Sequence, residues 1–285
     1  MKAPGFQLDV VNGGISGTEF HGRVTHLSSA ISTMDPALRA AQSGTRVGVW
    51  VADRQLAGRG RGTNQWHSVA GEGLYMTALT APEIPALSAL RLSFRVAIAV
   101  QAAMAEISGL VVREQIDIRW PNDLMLTRSN APSRKCAGIL IDMASNPGQA
   151  PLPAMLRYAL IGIGVNLNQL RFPAELDAVA TSLRRELPGK PLLRREPLMA
   201  AILRRLDASL RELAANPEQT LPDPGAYSSW VTGKRVRVEP RAGERQMRYT
   251  GTTAGLDNRG FLRVAADEGD MRTVLTGGLR EPNQS

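Results

Sequence analysis

Two arginines set among glycines give the segment Gln55–Arg61 (QLAGRGR) clear potential for chemistry. Glycine carries no side chain, so the backbone there can approach a ligand closely. Arg59 and Arg61 can each bind a carboxylate or a phosphate through two parallel hydrogen bonds. The glycine spacing matches neither the dinucleotide-binding fingerprint nor a Walker loop with its lysine. Taken alone, the segment is equally typical of a surface hairpin with two solvated arginines.

A second group of residues joins Arg119–Asp123 (RWPND) to Arg134–Asp142 (RKCAGILID). Lys135 stands just before an apolar strand, where its amine can reach over a sheet edge and stabilise negative charge on a phosphoryl group. A lone lysine in this position is more often an ordinary hairpin residue. Cys136 has no clear His or Asp partner in the sequence, so we predict that it packs as a small apolar residue.

The segment Ile161–Asn168 (IGIGVNLN) is an apolar strand that ends in glycine and asparagine. Its glycines would admit a ligand against the backbone, and Asn166 offers both a donor and an acceptor. A tight turn at the strand end explains the pattern equally well. The three histidines (His21, His26 and His67) lack the spacing of metal ligands, so we predict no metal held by the protein alone.

These residues must be positioned by a mixed pattern of strands and helices. Leu87–Ile107 has apolar residues at helical spacing and predicts a long buried helix, and Leu193–Leu213 predicts an amphipathic helix. Pro121–Asp123 is a turn signal, and Ser129–Ser133 is a polar loop. The predicted strands of this part are Val47–Val51, Leu74–Leu79, Ile116–Trp120, Gly138–Met143 and Leu156–Ile163.

Residues 216–225 hold three prolines and a glycine, which is typical of a domain boundary. Beyond them the pattern predicts a small β-barrel or sandwich. Its predicted strands are Arg235–Glu239, Met247–Ala254, Gly260–Ala265 and Met271–Leu275. We therefore predict an α+β chain in three parts: a loose N-terminal extension (1–20), a large domain with a mixed sheet and packed helices (21–222), and a small β domain (223–285).

Composition narrows the class of protein. Hydrophobic residues make up 43% of the 285, enough for a core, and no apolar run approaches the roughly 18 residues that span a bilayer. We expect no export signal at the N-terminus, and a single cysteine suits a cytoplasmic protein. The net charge of +8 favours anionic partners. Aromatic residues make up only 5% and do not alternate with basic blocks, which argues against binding of single-stranded nucleic acid.

Six of these segments, in this order and spacing, resemble the catalytic module of biotin protein ligases. The similarity covers about residues 23–280. The segments are Ser32–Thr33–Met34, Gln55 with Ala57–Arg61, Trp66 with Leu74–Tyr75, Trp120–Asp123, Lys135–Leu140 and Gly162–Asn168.

The resemblance implies a class II synthetase-like catalytic domain with an SH3-like C-terminal barrel. It also implies ATP-dependent ligation of biotin to a lysine of the biotin carboxyl carrier protein of acetyl-CoA carboxylase, through biotinyl-5'-AMP and with Mg²⁺ entering with ATP. No helix-turn-helix fits before residue 20, so we expect the monofunctional type that binds no DNA and no membrane. A homodimer formed at an exposed strand edge is left open.

The family also implies roles for individual residues. Ser32, Thr33, Gln55 and the neighbouring Met34 would lie around the ureido ring of biotin. The loop over the biotin carboxyl and the adenylate phosphate would hold Arg59, Gly60 and Arg61. Lys135 would contact the carboxylate and the α-phosphate, and Asp123 would support Mg²⁺ or the incoming lysine. The further residues expected to contact biotin or ATP are Gly58, Trp66, Tyr75, Asn122, Gly138, Leu140, Gly162 and Asn166.

Two departures from the family pattern stand out. Met34 replaces an asparagine, and Gly62–Thr63–Asn64 replaces a further Arg-Gly-Arg stretch. The sequence also leaves alternatives open: a lipoate or octanoate ligase of the same fold, a ligase that doubles as a DNA-binding repressor, and an inactive biotin-binding module. The Gly-Arg-Gly-Arg and Trp-Pro-Asn-Asp segments favour biotin over lipoate.

Overall fold

The computed structural model describes residues 5–128, 132–148, 153–189, 191–219, 221, 223–239, 248–275 and 277–282. Residues 129–131 of the predicted polar loop and Met247 of a predicted strand lie outside the described residues.

Strands account for most of the secondary structure near the predicted site. Those of the first half are β1 (Val24–Leu27), β2 (Gly48–Ala52), β3 (Gly58–Arg59), β4 (Gln65–Trp66), β5 (Gly73–Thr80), β6 (Ile116–Arg119) and β7 (Asp123–Leu126). The remaining strands are β8 (Arg134–Asn146), β9 (Met155–Asn166), β10 (Thr232–Glu239), β11 (Tyr249–Leu256), β12 (Leu262–Ala266), β13 (Met271–Val274) and β14 (Gly278–Arg280).

A large mixed sheet forms the centre of the molecule. In the described part of the chain its strand order is β1-β2-β5-β9-β8-β7-β6. β1 and β2 run parallel, and every other neighbouring pair is antiparallel. The sequence predicted five of these strands, mostly too short, because their polar ends continue the hydrogen-bonded ladder beyond the apolar residues. It missed β1 and β7, which are only four residues long.

Helices cover both faces of this sheet. They are α1 (Leu8–Gly14), α2 (Met34–Gln42), α3 (Leu92–Ser108), α4 (Ala174–Asp177), α5 (Leu183–Glu186) and α6 (Arg195–Ala215). α3 packs against β6, β7 and β8 on one face and against α6 behind it. A 3₁₀ turn at Ser88–Arg91 precedes α3, and Gly109 ends it with a φ of +74°. The two long predicted helices are therefore confirmed with small shifts of their ends.

The expectation of a loose N-terminal extension is wrong for the described residues of that segment. α1 packs against α6, and Val11, Ile15 and Phe20 are fully buried. The backbone N–H of Gln7 also donates to Glu196. The sequence did not predict this helix, because it has only seven residues and its apolar positions are separated by polar residues and glycines. Its stability comes from packing on α6.

The C-terminal strands form a second, antiparallel sheet, in the order β13-β12-β11-β10-β14 among the described residues. Val236, Val264 and Leu279 of this sheet belong to the same hydrophobic core as the large sheet. Hydrogen bonds also cross between the two parts, because Trp120 Nε1 donates to the carbonyl of Gly260 at 3.2 Å. The predicted β domain is thus present as a sheet, while its SH3-like form and the domain boundaries stay predictions.

The described residues contain no helix that is both long enough and apolar enough to cross a membrane.

Candidate active site

Three glycines on two neighbouring strands leave a patch of one face of the central sheet with no side chain of its own. Gly138 on β8 lies opposite Gly164 on β9, and Gly162 lies opposite Leu140. Because side chains alternate along a strand, Ile161 and Ile163 point to the other face, where they are buried. We call Gly138, Gly162 and Gly164 the glycine floor.

Polar groups gather at one end of the glycine floor. The backbone N–H of Thr33 donates to Gln55 Oε1 at 2.9 Å, and the hydroxyls of Thr33 and Thr77 lie 2.8 Å apart. Thr77 pairs with Gly162 in the sheet, which places this cluster beside the floor. Ser32 and Thr33 are buried, and Gln55 also donates to Ser68. The cluster places hydroxyl and amide groups, hydrogen-bonded to one another, at this end of the floor.

Met34 lies between this polar end and the hydrophobic core. It is buried with Ala37, Leu79 and Leu160, and its Sδ lies 3.0 Å from where a Cβ on Gly162 would stand. The side chain therefore packs under α2 and also borders the floor. Leu140, half-buried in the same cluster, has its carbonyl 3.4 Å from that Cβ position.

A charged group occupies the other end of the floor. Lys135 Nζ lies 2.5 Å from Asp123 Oδ1, and Arg119 Nη2 donates to Asp123 Oδ2 at 2.8 Å. Burial would raise the pKa of Asp123, but Lys135 and Arg119 outweigh it and hold that pKa at about 2. Lys135 Nζ also lies 3.1 Å from the Cβ position of Gly138, so the amine reaches the floor. The predicted position of Lys135 at a strand entry is confirmed.

The β3–β4 hairpin carries the two predicted arginines over the site. A Cβ on Gly58 would lie 2.6 Å from the carbonyl oxygen of Trp66, so only glycine fits there. Arg59 is half-exposed, 3.4 Å from Asp142 and 4.0 Å from Asp35. The tip turns through Gly60, whose N–H donates to the carbonyl of Asn64.

Arg61 connects this hairpin to two other elements. Its Nη1 donates to Asn122 Oδ1 at 3.1 Å and to the carbonyl of Gly277 at 3.0 Å. Asn122 is buried and donates in turn to the carbonyl of Ile139 on β8. The arginine therefore links the hairpin, the β6–β7 turn and the C-terminal sheet.

Three further predicted residues complete the surroundings of the floor. The indole ring of Trp66 lies on Gly138 and Gly164. Tyr75 is fully buried beside them, and its hydroxyl donates to the carbonyl of Val69. Asn166 donates to the carbonyl of Thr181 and accepts from Gln169, so its amide groups are already engaged within the chain. Its expected role toward adenine gains no support from this position.

Cys136 packs inside the protein, as its sequence context predicts. Cys136 is fully buried, and desolvation raises the pKa of its thiol, so it packs as an apolar residue. No three His, Cys, Asp or Glu side chains of the described ranges converge on a common point.

The sequence did not identify three contributors to the site, which are Thr77, Asp142 and Gly277. Thr77 and Asp142 lie inside strands whose pattern signalled only burial, although each faces the site side. Gly164 was recognised in its segment but not as part of the floor, and Gly277 lies far away in the chain. Alternation from Gly162 would have identified Gly164, whereas the contact of Gly277 depends on tertiary packing.

The sequence profile of the Biotin/lipoate A/B protein ligase family matches residues 32–166, which include the polar end, the hairpin, Lys135 and the glycine floor. The chain is 32% identical over 231 residues to the bifunctional ligase/repressor BirA of Bacillus subtilis, covering 80% of this chain. It spans 64% of the length of that relative. It is also 29% identical over 251 residues to a biotin–[acetyl-CoA-carboxylase] ligase of Mycobacterium tuberculosis, covering 87% of this chain and 84% of the relative.

The fold is shared with a solved structure. A biotin protein ligase from Aquifex aeolicus in complex with biotin and ATP superposes with a TM-score of 0.67 at 24% identity. The match covers 91% of this chain and 98% of that one, so it includes both sheets.

Proposed function

The chain belongs to the Biotin/lipoate A/B protein ligase family through residues 32–166, and from this premise we propose that it ligates biotin to a lysine of a carrier protein, using ATP. One observation carries the proposal: a polar end at Thr33 and Gln55, the glycine floor, and a lysine at the far end follow one another on one sheet face. Biotin has the same order of groups, since a ureido ring is followed by an aliphatic tail and a carboxylate.

The first step joins the acid to AMP. A carboxylate oxygen attacks the α-phosphorus of ATP, the bond to the pyrophosphate oxygen breaks, and pyrophosphate leaves. Two anions must meet, so positive charge at the meeting point lowers the barrier. We assign this charge to Lys135, which reaches the floor, with Arg59 and Arg61 on the hairpin above. Mg²⁺ would enter with ATP and be held largely by its phosphates.

The second step transfers the acyl group. The neutral amine of the acceptor lysine attacks the acyl carbon, the bond to the phosphate oxygen breaks, and AMP leaves as the amine gives up a proton to water. Asp123 was expected to help this lysine, but a carboxylate with a pKa of about 2 is a poor proton acceptor at neutral pH. We propose instead that Asp123 is a positioning residue, which fixes Lys135 at the floor.

The hairpin would protect the intermediate between the two steps. A mixed anhydride reacts readily with water, so a loop that excludes water preserves it. Arg61 ties the hairpin tip to Asn122 and to Gly277, which is a suitable latch for such a cover.

We propose that the acceptor is a biotin carboxyl carrier protein. The match to the Mycobacterium tuberculosis relative covers 84% of that protein, and its name gives acetyl-CoA carboxylase as the acceptor. The net charge of +8 suits an acidic surface around the acceptor lysine.

A pyrophosphate-release assay tests the proposed substrate. The purified protein is incubated with MgATP and, separately, with biotin, lipoic acid or octanoic acid. We expect release with biotin at a rate well above that with the other two acids. Faster release with lipoic or octanoic acid would assign the chain to the alternative substrate, and release with none would refute the ligase activity.

A further inference from the structure

A β-bulge sets the direction of the Lys135 side chain. The pairing of β8 with β7 shifts register between Ala137 and Lys135, so Cys136 is one extra residue on β8. In a regular strand Lys135 and Gly138, three residues apart, would point to opposite faces. The bulge brings them to the same face, where the amine lies 3.1 Å from the Cβ position of Gly138. The reach of Lys135 therefore depends on the local shape of β8.

A loop after β9 supports the bulge, which interrupts the ladder between β7 and β8. The N–H of Lys135 donates to the carbonyl of Val179 at 2.8 Å, and the N–H of Thr181 donates to the carbonyl of Lys135 at 2.9 Å. Asn166, at the end of β9, donates its side-chain N–H to the carbonyl of Thr181. The backbone of Lys135 is thus held on the edge that faces away from β7.

A buried carboxylate anchors this loop. Glu186 on α5 leaves only 5% of its side chain exposed. Its Oε1 accepts from Arg134 Nη2 at 2.8 Å and from the hydroxyl of Thr181. Arg128 Nε lies 3.6 Å from its Oε2. Glu186 therefore holds both the residue before Lys135 and the residue that bonds to the Lys135 carbonyl.

We propose that Glu186 is a positioning residue of the adenylation step, which acts by fixing the backbone of Lys135. This inference rests on the proposed function. Glu186→Gln keeps the shape of the side chain but removes its charge, and the amide must turn an N–H₂ group toward an arginine. The loop would shift, and the amine of Lys135 would shift with the bulge. A displacement of about 1 Å at a reacting group can cost about a hundredfold in rate.

Single-turnover rates of pyrophosphate release, measured with biotin and MgATP, test the proposal in two backgrounds. In the wild type, Glu186→Gln should slow release at least about tenfold, while the dissociation constant of biotin stays within about twofold, because the polar end of the floor is untouched. In Lys135→Ala, the same change should slow release no further, since the group that it positions is gone.

Asp177→Asn is the matched control, because it breaks an exposed ion pair of the same loop, between Asp177 and Arg185 at 2.7 Å. It should leave the rate within about twofold of the wild type. Thr181→Val provides the same comparison in two backgrounds should Glu186→Gln fail to fold, because it removes one bond to the carboxylate and keeps the ion pair with Arg134.

Slowing by the same factor in both backgrounds would show that Glu186 does not act through Lys135. That result, or an unchanged rate in the wild-type background, would overturn the role of Glu186 and leave the proposed function intact. A wild type that releases no pyrophosphate with biotin would refute the proposed function, and this inference with it.

Discussion

Lys135 combines the two properties that a phosphoryl-transfer lysine requires. It is held 2.5 Å from a carboxylate that fixes its direction, and its amine lies against the glycine floor, where we propose that the substrate tail binds. The sequence indicated only a lysine at a strand entry, which is also typical of an ordinary hairpin. Its ion pair with Asp123 of β7 distinguishes it from an ordinary hairpin lysine.

Removal of this amine should stop adenylate formation. Lys135→Ala is expected to slow biotin-dependent pyrophosphate release by at least about a hundredfold, because one electrostatic group at the reacting centre is lost. Lys234→Ala is the matched control, since Lys234 has nearly the same exposure (32% against 31%) and also pairs with a carboxylate. Equal rates for the two variants would remove Lys135 from the mechanism.

Asp123 should make stability depend on pH in acid. Its pKa is lowered from 3.8 to about 2 in the folded protein, so the ionised form is stabilised by folding. That stabilisation is present above about pH 4 and is lost as the pH falls toward 2. Asp123→Asn should therefore lower the free energy of unfolding by on the order of 2 kcal/mol at pH 7.

Urea unfolding between pH 7 and pH 3 measures this difference. The free energy of unfolding of Asp123→Asn should lie below that of the wild type by a constant amount from pH 7 to pH 5, and this difference should shrink below pH 4. The exposed Glu114→Gln serves as a control with little effect. A gap that grows in acid would show that the sign of the pKa shift is wrong.

At the scale of elements, the β3–β4 hairpin joins the catalytic face to the C-terminal sheet. Arg61 bonds to Asn122 on one side and to the carbonyl of Gly277 on the other. The sequence identified the glycines of this hairpin as points of close backbone approach. The structure shows such an approach at Gly58, whose Cβ position lies against the carbonyl oxygen of Trp66. The partners of Arg61 could not be identified from the sequence, since they lie 61 and 216 residues away in the chain.

Loosening this latch should release the intermediate. Arg61→Gly is expected to retain part of the adenylate synthesis while biotinyl-adenylate escapes into solution. Biotin would then appear on unrelated proteins added to the reaction, which an avidin blot detects. Arg46→Gly, a change of an exposed loop arginine, is the control. Labelling confined to the acceptor in the Arg61 variant would contradict the role of the hairpin as a cover.

Long helices and strands were predictable from the sequence, and short ones were not. Long apolar elements such as α3 and β9 were predictable, because burial imposes a regular spacing on many residues. α1 and α2 were missed because each is shorter than ten residues and depends on packing for stability. The occupation of the glycine floor by Trp66 also could not be predicted, since it depends on how a hairpin folds back over two strands.

At the scale of the whole molecule, the two sheets behave as one packed unit. Gln101 of α3 donates to the carbonyl of Tyr227 at 2.8 Å, and Ser228 donates to the carbonyl of Ile118 on β6. Val236 and Leu279 share the core of the large sheet. A cut after about Pro224 would expose this core, so changes to single contacts are the better probe of the C-terminal sheet.

The net charge of +8 predicts that acceptor recognition depends on salt. Raising NaCl from about 50 to about 300 mM should slow labelling of an acidic carrier protein several-fold, because exposed charges are screened. Pyrophosphate release with biotin alone is the internal control and should change much less. A labelling rate that is insensitive to salt would show that charge has no part in docking the acceptor.

Mass spectrometry of the protein after incubation with biotin and MgATP tests the central claim most directly. Under native conditions, we expect the wild type to carry one added mass equal to biotinyl-adenylate, and Lys135→Ala to carry none. Subsequent addition of a biotin carboxyl carrier protein should remove that mass and add biotin to the carrier. If the wild type shows biotin alone, or no added mass at all, the chain is not a ligase that works through an adenylate.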